Sequence, residues 1–159
     1  MVLCLDLSLS NTGVSLFKEN GELELCFSIP TEAKIKGVSI THGERLKLIA
    51  SKLLELRAKH EITVLVIENG FTRHNVSTQI LYKLRGVVEY LFVDCELFTY
   101  APTTIKKIIT GKGTAKKEEL LEVLERKFNI KFENTDQSDS FALGIVYFYK
   151  QGVIAWEEG

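Results

Sequence analysis

Residues 63–67, Thr-Val-Leu-Val-Ile, are the segment that most restricts the fold of this 159-residue chain. The run is apolar and mostly β-branched but too short for a helix, so it predicts a strand that is buried on both faces. Such a strand lies inside a sheet with helices packed against it. The segment therefore predicts an α/β fold, with Glu68 at the point where the strand emerges.

Further strands and helices are predicted on either side of this strand. Strands are predicted over residues 2–9, 13–18, 22–29 and 95–100, with Asn20-Gly21 as a hairpin signal, and residues 30–39 predict a polar loop. Helices are predicted from a capping box at 41–44 to about His60, over 76–92, from Pro102 to a break at Gly111, over 115–128 behind a Thr114 cap, and from Asp136 onward. The order βββαβαβααα describes a mixed sheet flanked by helices, in a single domain over residues 1–159.

Composition excludes several classes of protein. With 45% hydrophobic residues the chain can bury a substantial core, and no stretch reaches the roughly 18 apolar residues of a membrane span. Cys4, Cys26 and Cys95 are odd in number and widely spaced, which favours reduced, buried thiols over disulfides or a zinc site. We therefore expect a soluble, cytoplasmic protein with no membrane partner.

Carboxylates stand at the positions where a catalytic site would need them. Asp6 lies inside the first strand, Glu68 ends the central strand, and Asp136 and Asp139 share one face at the start of the last helix. Burying an ionised Asp6 between leucines is costly unless something compensates it, and Mg²⁺ or Mn²⁺ would do so. Alternatively, Asp136 is an N-cap, Asp139 a partner of the helix dipole and Glu68 a solvated strand end.

Lysines are concentrated in one part of the chain, although the net charge of −1 does not indicate a partner for a polyanion. No acidic residue occurs between Glu96 and Glu118, and that interval contains Lys106, Lys107, Lys112, Lys116 and Lys117. Lysines bind phosphates as mobile point charges, and Gly111 and Gly113 allow backbone amides to approach a phosphate. The alternative is a solvated helix surface.

Four segments together carry a resemblance to a known family. They are LDLSLSNTG around Asp6, VIENGF around Glu68, TIKKIITGKGTAKKEE over 104–119 and DQSDSFALG over 136–144. In this order they resemble the signature segments of RuvC-type Holliday-junction resolvases, of the RNase H-like superfamily. Leu7-Ser8 replaces the Pro-Gly that is usual in the family, which is more similar to the bacteriophage branch.

The resemblance implies an RNase H-like fold and a metal-dependent endonuclease. It implies that Asp6, Glu68, Asp136 and Asp139 form a catalytic tetrad that holds Mg²⁺ or Mn²⁺, two per site, and that homodimers nick four-way junctions. It also implies that Lys106 and Lys117 contact DNA near the cut phosphate. Forks and flaps are further candidate substrates, and a phage-encoded protein would act in the cytoplasm of its bacterial host.

Two further features concern DNA and the dimer. Phe71 and Arg73 follow Glu68 in a predicted loop, where Phe71 could stack on an unpaired base or merely cover the core, and Arg73 is a further DNA-binding candidate. His74 is left out of the catalytic set. The helix over 76–92 is a candidate dimer interface or a core-facing helix, with apolar positions at Ile80, Leu81, Leu84, Val88 and Leu91.

Other functions remain open at this point. An RNA-processing nuclease of a related RuvC-like family would share the fold and carboxylates, but it explains the basic Gly-x-Gly segment less well. A junction-binding protein without catalysis would not need all four carboxylates. An actin-like or sugar-kinase ATPase would use residues 6–13 as a phosphate loop, but it needs two such domains, and this chain has room for one.

Overall fold

A computed structural model describes residues 1–70 and 76–157, with seven strands and five helices in these ranges. The strands are β1 (Val2–Asp6), β2 (Asn11–Phe17), β3 (Leu23–Pro30), β4 (Lys34–Ile35), β5 (Val38–Ser39), β6 (Val64–Glu68) and β7 (Glu96–Tyr100). The helices are α1 (His42–Lys59), α2 (Val76–Leu91), α3 (Pro102–Thr110), α4 (Lys117–Phe128) and α5 (Thr135–Lys150). The sheet and helices confirm the predicted α/β class.

The main sheet has five strands in the order β3-β2-β1-β6-β7. Strands β1, β2 and β3 pair in antiparallel fashion, whereas β1 with β6 and β6 with β7 are parallel, so the predicted mixed sheet is confirmed. Leu5 is aligned with Ile67 across the β1–β6 pair. Asp6 and Glu68, the next residue of each strand, therefore end neighbouring parallel strands at the same edge of the sheet.

Alternation along the strands divides the core into two layers. Leu3 and Leu5 face the layer that includes Ile49 of α1 and Leu84 of α2. Val2, Cys4 and Val66 belong to the opposite layer, where the partners from α3, α4 and α5 include Ile105, Leu120, Phe141 and Phe148. Asp6 has the parity of Cys4, and Glu68 that of Val66. Both carboxylates thus belong to the side of the sheet that α5 covers.

Close packing of α5 on β1 and β2 depends on small residues. A Cβ atom built on Gly13 would lie 1.9 Å from the carbonyl oxygen of Asp136, and one built on Gly144 would lie 2.2 Å from the Phe17 ring. Between these two positions the hydroxyls of Ser15 and Ser140 are hydrogen-bonded at 2.7 Å. At position 13, any side chain larger than that of glycine would move the first turn of α5 away from the strand ends.

One of three local predictions is confirmed and two are corrected. The capping box holds, with the Thr41 hydroxyl accepting from the Glu44 amide and Glu44 accepting from the Thr41 amide. The predicted loop at 30–39 contains the short β4–β5 hairpin, turned at Lys36 and Gly37, both of which have positive φ. Thr114 does not cap α4, because the helix begins only at Lys117 and Lys116 is its N-cap.

The apolar positions of α2 face the protein's own core. Leu84 and Val88 are fully buried, and Ile80 and Leu91 pack against the same layer, while Leu81 is half-buried. The prediction that these residues form a dimer interface is therefore wrong, and the core-facing alternative is correct. The hydrophobic period of a helix shows which side is apolar, but it does not show what that side contacts.

The prediction of reduced, buried cysteines is confirmed in part. All three cysteines are unpaired, but only Cys4 is fully buried, whereas Cys26 and Cys95 are half-buried. Burial raises the pKa of the Cys4 thiol well above its ordinary value. Within the described ranges, no helix has both the length and the apolar character needed to cross a bilayer.

We expect Gly144→Ala to destabilise the fold, because the new methyl group would meet the fully buried Phe17 ring. Overpacking of this kind costs about 1–3 kcal/mol. The free energy of unfolding in urea measures the loss. Gly43→Ala is the matched control, since its methyl group would have no neighbour closer than 3.8 Å. Equal stability of the two variants would contradict the close packing of α5.

Candidate active site

Asp6 and Glu68 form the first half of an acidic site at the carboxyl ends of β1 and β6. The parallel register brings the two ends together, as described above, and both side chains are half-buried. Pairing of Asp6 with Gly13 in β2 closes the other side of Asp6. Because Gly13 has no side chain, the backbone of α5 reaches the same place.

The first turn of α5 supplies the other two carboxylates. Asn134 caps this helix, its side chain accepting from the Gln137 amide at 3.0 Å, so the alternative that Asp136 is the N-cap does not apply. The Asp136 carboxylate instead accepts a hydrogen bond of 2.7 Å from the Asn11 side chain. Asp139, one turn further on, contacts the ammonium of Lys117.

The pKa values of these groups indicate that the four carboxylates act on one another. The pKa of Asp6 is raised from its ordinary value of 3.8 to about 7, chiefly by burial and then by the charges of Asp139, Glu68 and Asp136, against an opposing effect of Lys117. Burial and the charge of Asp139 also raise the pKa of Glu68. Burial likewise raises the pKa of Asp139, although Lys117 opposes this. The site therefore contains more negative charge than the protein itself neutralises.

A divalent cation would neutralise this charge, and oxygen ligands of this kind are those that Mg²⁺ and Mn²⁺ prefer. Within residues 1–70 and 76–157, no group of three or more His, Cys, Asp or Glu side chains is arranged to hold a metal ion as it stands. The Lys117 ammonium lies against Asp139, the place that a cation would need. The donor set fits a metal ion, provided that Lys117 gives up this contact.

Two of the five predicted DNA-binding lysines lie at this site. Lys106, at the α3 side, and Lys117, at the start of α4, line one cavity together with Asp6, Glu68 and Asp139. Both lysines lower the pKa values of Glu68 and Asp139. The other three predicted lysines, exposed on the surface, are Lys107, Lys112 and Lys116. Gly111 ends α3 in the left-handed conformation, with φ of 78°, which turns the chain towards α4.

Phe71, Arg73 and His74 lie outside the residues that the structure describes. Their predicted roles, base stacking for Phe71 and DNA contact for Arg73, are therefore neither supported nor contradicted by the geometry.

Sequence reasoning did not identify Asn11 or Arg85 as parts of the site. Asn11 of β2 holds Asp136 in place through this hydrogen bond, and nothing in the sequence around Asn11 indicates the contact. Arg85 of α2, paired with Glu89 at 2.7 Å, lines a second cavity at the site together with Asp6, Glu68 and Tyr82. This cavity results from the position of α2 across the strand ends, and the sequence near residue 85 does not indicate it.

The family model of crossover junction endodeoxyribonuclease RuvC matches residues 2–147. The chain belongs to the RuvC family. The RuvC of Ehrlichia ruminantium strain Gardel is 33% identical over 156 residues, which cover 93% of this chain and 96% of that protein. The RuvC of strain Welgevonden is 39% identical over 113 residues, 69% of this chain and 71% of the relative.

A solved RuvC shares the fold. The structure of Thermus thermophilus RuvC in complex with Holliday junction substrate has a TM-score of 0.74 and 19% sequence identity, covering 96% of each chain. At this identity the likeness supports the RNase H-like mixed sheet alone. The segment that the RuvC model matches contains all four carboxylates and all five lysines.

We expect Asp6→Asn to stabilise the metal-free protein at alkaline pH. Because the folded protein has an Asp6 pKa of about 7 against an ordinary 3.8, it binds more protons than the unfolded chain between these values. Wild-type stability therefore falls as pH rises through this window and is level above it. Asparagine removes that loss, which is on the order of 2–4 kcal/mol at pH 8.

Urea unfolding at pH 4 and pH 8 in the presence of a chelator measures this effect. The gain of Asp6→Asn over wild type should be present at pH 8 and nearly absent at pH 4. Asp94→Asn is the control, since Asp94 is exposed and its pKa is lowered by a hydrogen bond from Arg57. A gain that is the same at both pH values would mean that Asp6 is not held at a raised pKa.

Proposed function

We propose that this chain is a metal-dependent endonuclease that nicks branched DNA, chiefly four-way Holliday junctions. The observation that carries the proposal is the convergence of Asp6, Glu68, Asp136 and Asp139 from β1, β6 and α5 in a chain of the RuvC family. The relatives are named crossover junction endodeoxyribonucleases, and the related Thermus protein was solved with a Holliday junction.

The proposed metal ligands are the same four carboxylates, which would hold Mg²⁺ or Mn²⁺, two ions per site. Bound ions of this kind stabilise the charge that develops on the attacking and leaving oxygens of a phosphodiester. Asn11 orients Asp136 for this task through its 2.7 Å hydrogen bond. The close fit of Gly13 against the backbone of Asp136 keeps the α5 ligands beside the strand-end ligands.

The lysines of the cavity would bind the phosphate that is cut. Lys117 contacts Asp139 in the structure, and it would exchange this carboxylate for the phosphate oxygens once a divalent ion compensates Asp139. Lys106 lines the same cavity from α3. Lys107, Lys112 and Lys116 extend the positive surface along the neighbouring duplex arm, and Phe71 and Arg73 are proposed to contact DNA beyond Glu68.

We expect Asp6→Asn, Glu68→Gln and Asp139→Asn each to abolish Mg²⁺-dependent cleavage while junction binding is kept. These carboxylates would hold metal, and removing negative charge does not weaken attraction to phosphate. Cleavage is measured on a panel of four-way, three-way, fork, flap and linear duplex DNAs, with structured RNA alongside. Asp94→Asn, which changes an exposed aspartate paired with Arg57, should cleave like wild type.

The same panel separates the competing functions. Preference for structured RNA would favour the RNA-processing alternative, and binding of junctions without cleavage in any divalent metal would favour the non-catalytic one. A variant of the tetrad that cleaves at the wild-type rate would remove its residue from the proposed site.

We expect Lys106→Ala combined with Lys117→Ala to weaken junction binding and to flatten its salt dependence. Each phosphate contact releases condensed counterions, so the slope of log affinity against log salt should fall by roughly 2. The cleavage-sequence preference should survive, because phosphate contacts carry little base information. Lys52→Ala with Lys59→Ala, on α1, is the control that removes the same charge elsewhere. An unchanged slope would make the basic segment only a solvated surface.

We propose a homodimer that packs through the outward side of α2 and the turn after it. Tyr90 and Val93 are each 80% exposed there. A second copy of this chain is the proposed occupant, because two equivalent cuts are most simply made by two sites related by a two-fold axis. Sedimentation should give a dimer for wild type and a monomer for Tyr90→Arg, with Tyr149→Arg as control. A wild-type monomer, with and without DNA, would contradict the dimer.

The single domain over residues 1–159, the cytoplasmic location and the bacteriophage-like branch stay predictions.

A further inference from the structure

A cavity beside the proposed catalytic site contains a buried arginine and no acid. Its lining residues are Leu7, Ser8, Leu9, Ser10, His42, Arg45, Ile80 and Leu81. The polar groups among them are two hydroxyls, an imidazole and a guanidinium, all of which can donate hydrogen bonds. This is the chemistry of an anion site, whereas the neighbouring catalytic cavity has the chemistry of a cation site.

Arg45 carries a charge that the described residues do not neutralise. Arg45 is 8% exposed, and its guanidinium donates to neutral oxygens: the Thr31 hydroxyl at 2.8 Å, the carbonyls of Leu9 and Thr31 at 3.2 and 3.3 Å, and the Ser10 hydroxyl at 3.4 Å. Within residues 1–70 and 76–157, it makes no ion pair with Asp or Glu. Because a buried charge is costly without a counter-charge, an anion entering the cavity would be held strongly.

Among the residues around Arg45, the Ser8 hydroxyl keeps a proton that it can donate to an anion in the cavity. The Ser8 hydroxyl oxygen accepts from the amides of Ser10 and Asn11 at 3.3 and 3.4 Å, so its proton is the group that remains to be donated. Glu44, the acid next to Arg45 in sequence, is bound to Thr41 in the capping box and does not line the cavity.

The position of the cavity relates it to the cut strand. Leu7 and Leu81 line both this cavity and the one that contains Asp6 and Glu68, so the two are contiguous. Ser8 is two residues beyond Asp6, at most about 7 Å along the chain. Phosphates follow one another along a DNA strand at about 3.4 Å of helix rise. A strand cut at the carboxylates would therefore bring a neighbouring phosphate to Ser8, at the cavity that Arg45 also lines.

We propose that Arg45, with Ser8, Ser10 and His42, forms a second phosphate-binding subsite for the DNA strand that is cut. The subsite rests on the proposed function, since it takes its ligand from the same strand. It binds a phosphodiester one or two nucleotides from the cut bond and thereby fixes which phosphodiester lies at the carboxylates. Arg45 is thus a positioning residue, which never touches the reacting atoms.

The experiment pairs Arg45→Gln with removal of one phosphate charge at a time. Four-way junctions carrying a single neutral methylphosphonate at each position around the cut are bound without divalent metal, to wild type and variant. For wild type, one position within two nucleotides of the cut should weaken binding about tenfold. For Arg45→Gln, the same substitution should change binding less than twofold, because its charge partner is gone.

Controls separate this role from a purely structural one. Lys59→Gln removes the same charge from the other end of α1, about 21 Å away, and should keep the wild-type sensitivity at every position. Arg45→Lys should restore the sensitivity. Should Arg45→Gln not fold, as judged by thermal unfolding, Ser8→Ala and His42→Ala take its place in the same comparison.

The outcomes are distinct. If the losses from Arg45→Gln and from each methylphosphonate simply add at all positions, Arg45 only holds the loops together, and the subsite is refuted. A wild-type protein that neither binds nor cuts the unmodified junction refutes the proposed function, and the subsite with it. Junction cutting with additive losses refutes the subsite alone.

Discussion

The contact between α5 and the β1–β2 pair is the constraint on which the rest of the site depends. Gly13, the Ser15–Ser140 hydrogen bond and Gly144 beneath Phe17 bring the helix backbone against the strands. This packing places the first turn of α5 beside the ends of β1 and β6. The close approach therefore turns carboxylates that are far apart in sequence into one cluster.

That cluster shows how the protein tolerates charge it cannot neutralise. Asp6 keeps a raised pKa, Asp136 is supported by a neutral amide from Asn11, and Asp139 has the Lys117 ammonium. If every carboxylate of the site were paired with a cationic side chain, no negative charge would remain to bind a divalent ion. If the site had no lysine, its carboxylates would repel the phosphate that must approach it. Lys117, with Lys106 on the other side of the cavity, is a compromise between these two requirements.

Much of this arrangement could be predicted from local patterns. The buried strand over 63–67, the capping box at Thr41 and the acid at Asp6 each follow from a short segment, and the structure agrees with all three. The predicted Thr114 cap was wrong because three residues separate Gly113 from Lys117, the first residue of α4. The side chain of Arg45 could not be predicted either, since its partners at Leu9 and Thr31 lie up to 36 positions away and meet it only through tertiary packing.

The order of the four carboxylates along the sequence has a consequence for how the site is assembled during folding. Strands β1 and β6 and their carboxylates are synthesised before α5, which follows all the described strands in the chain. Until α5 docks, the sheet face that carries Val2, Cys4 and Val66 lacks its cover by this helix, and two of the four carboxylates are missing from the cluster. Domains fold largely as units once their chain is available. The docking of α5 therefore completes the core and brings Asp136 and Asp139 to Asp6 and Glu68 in the same step.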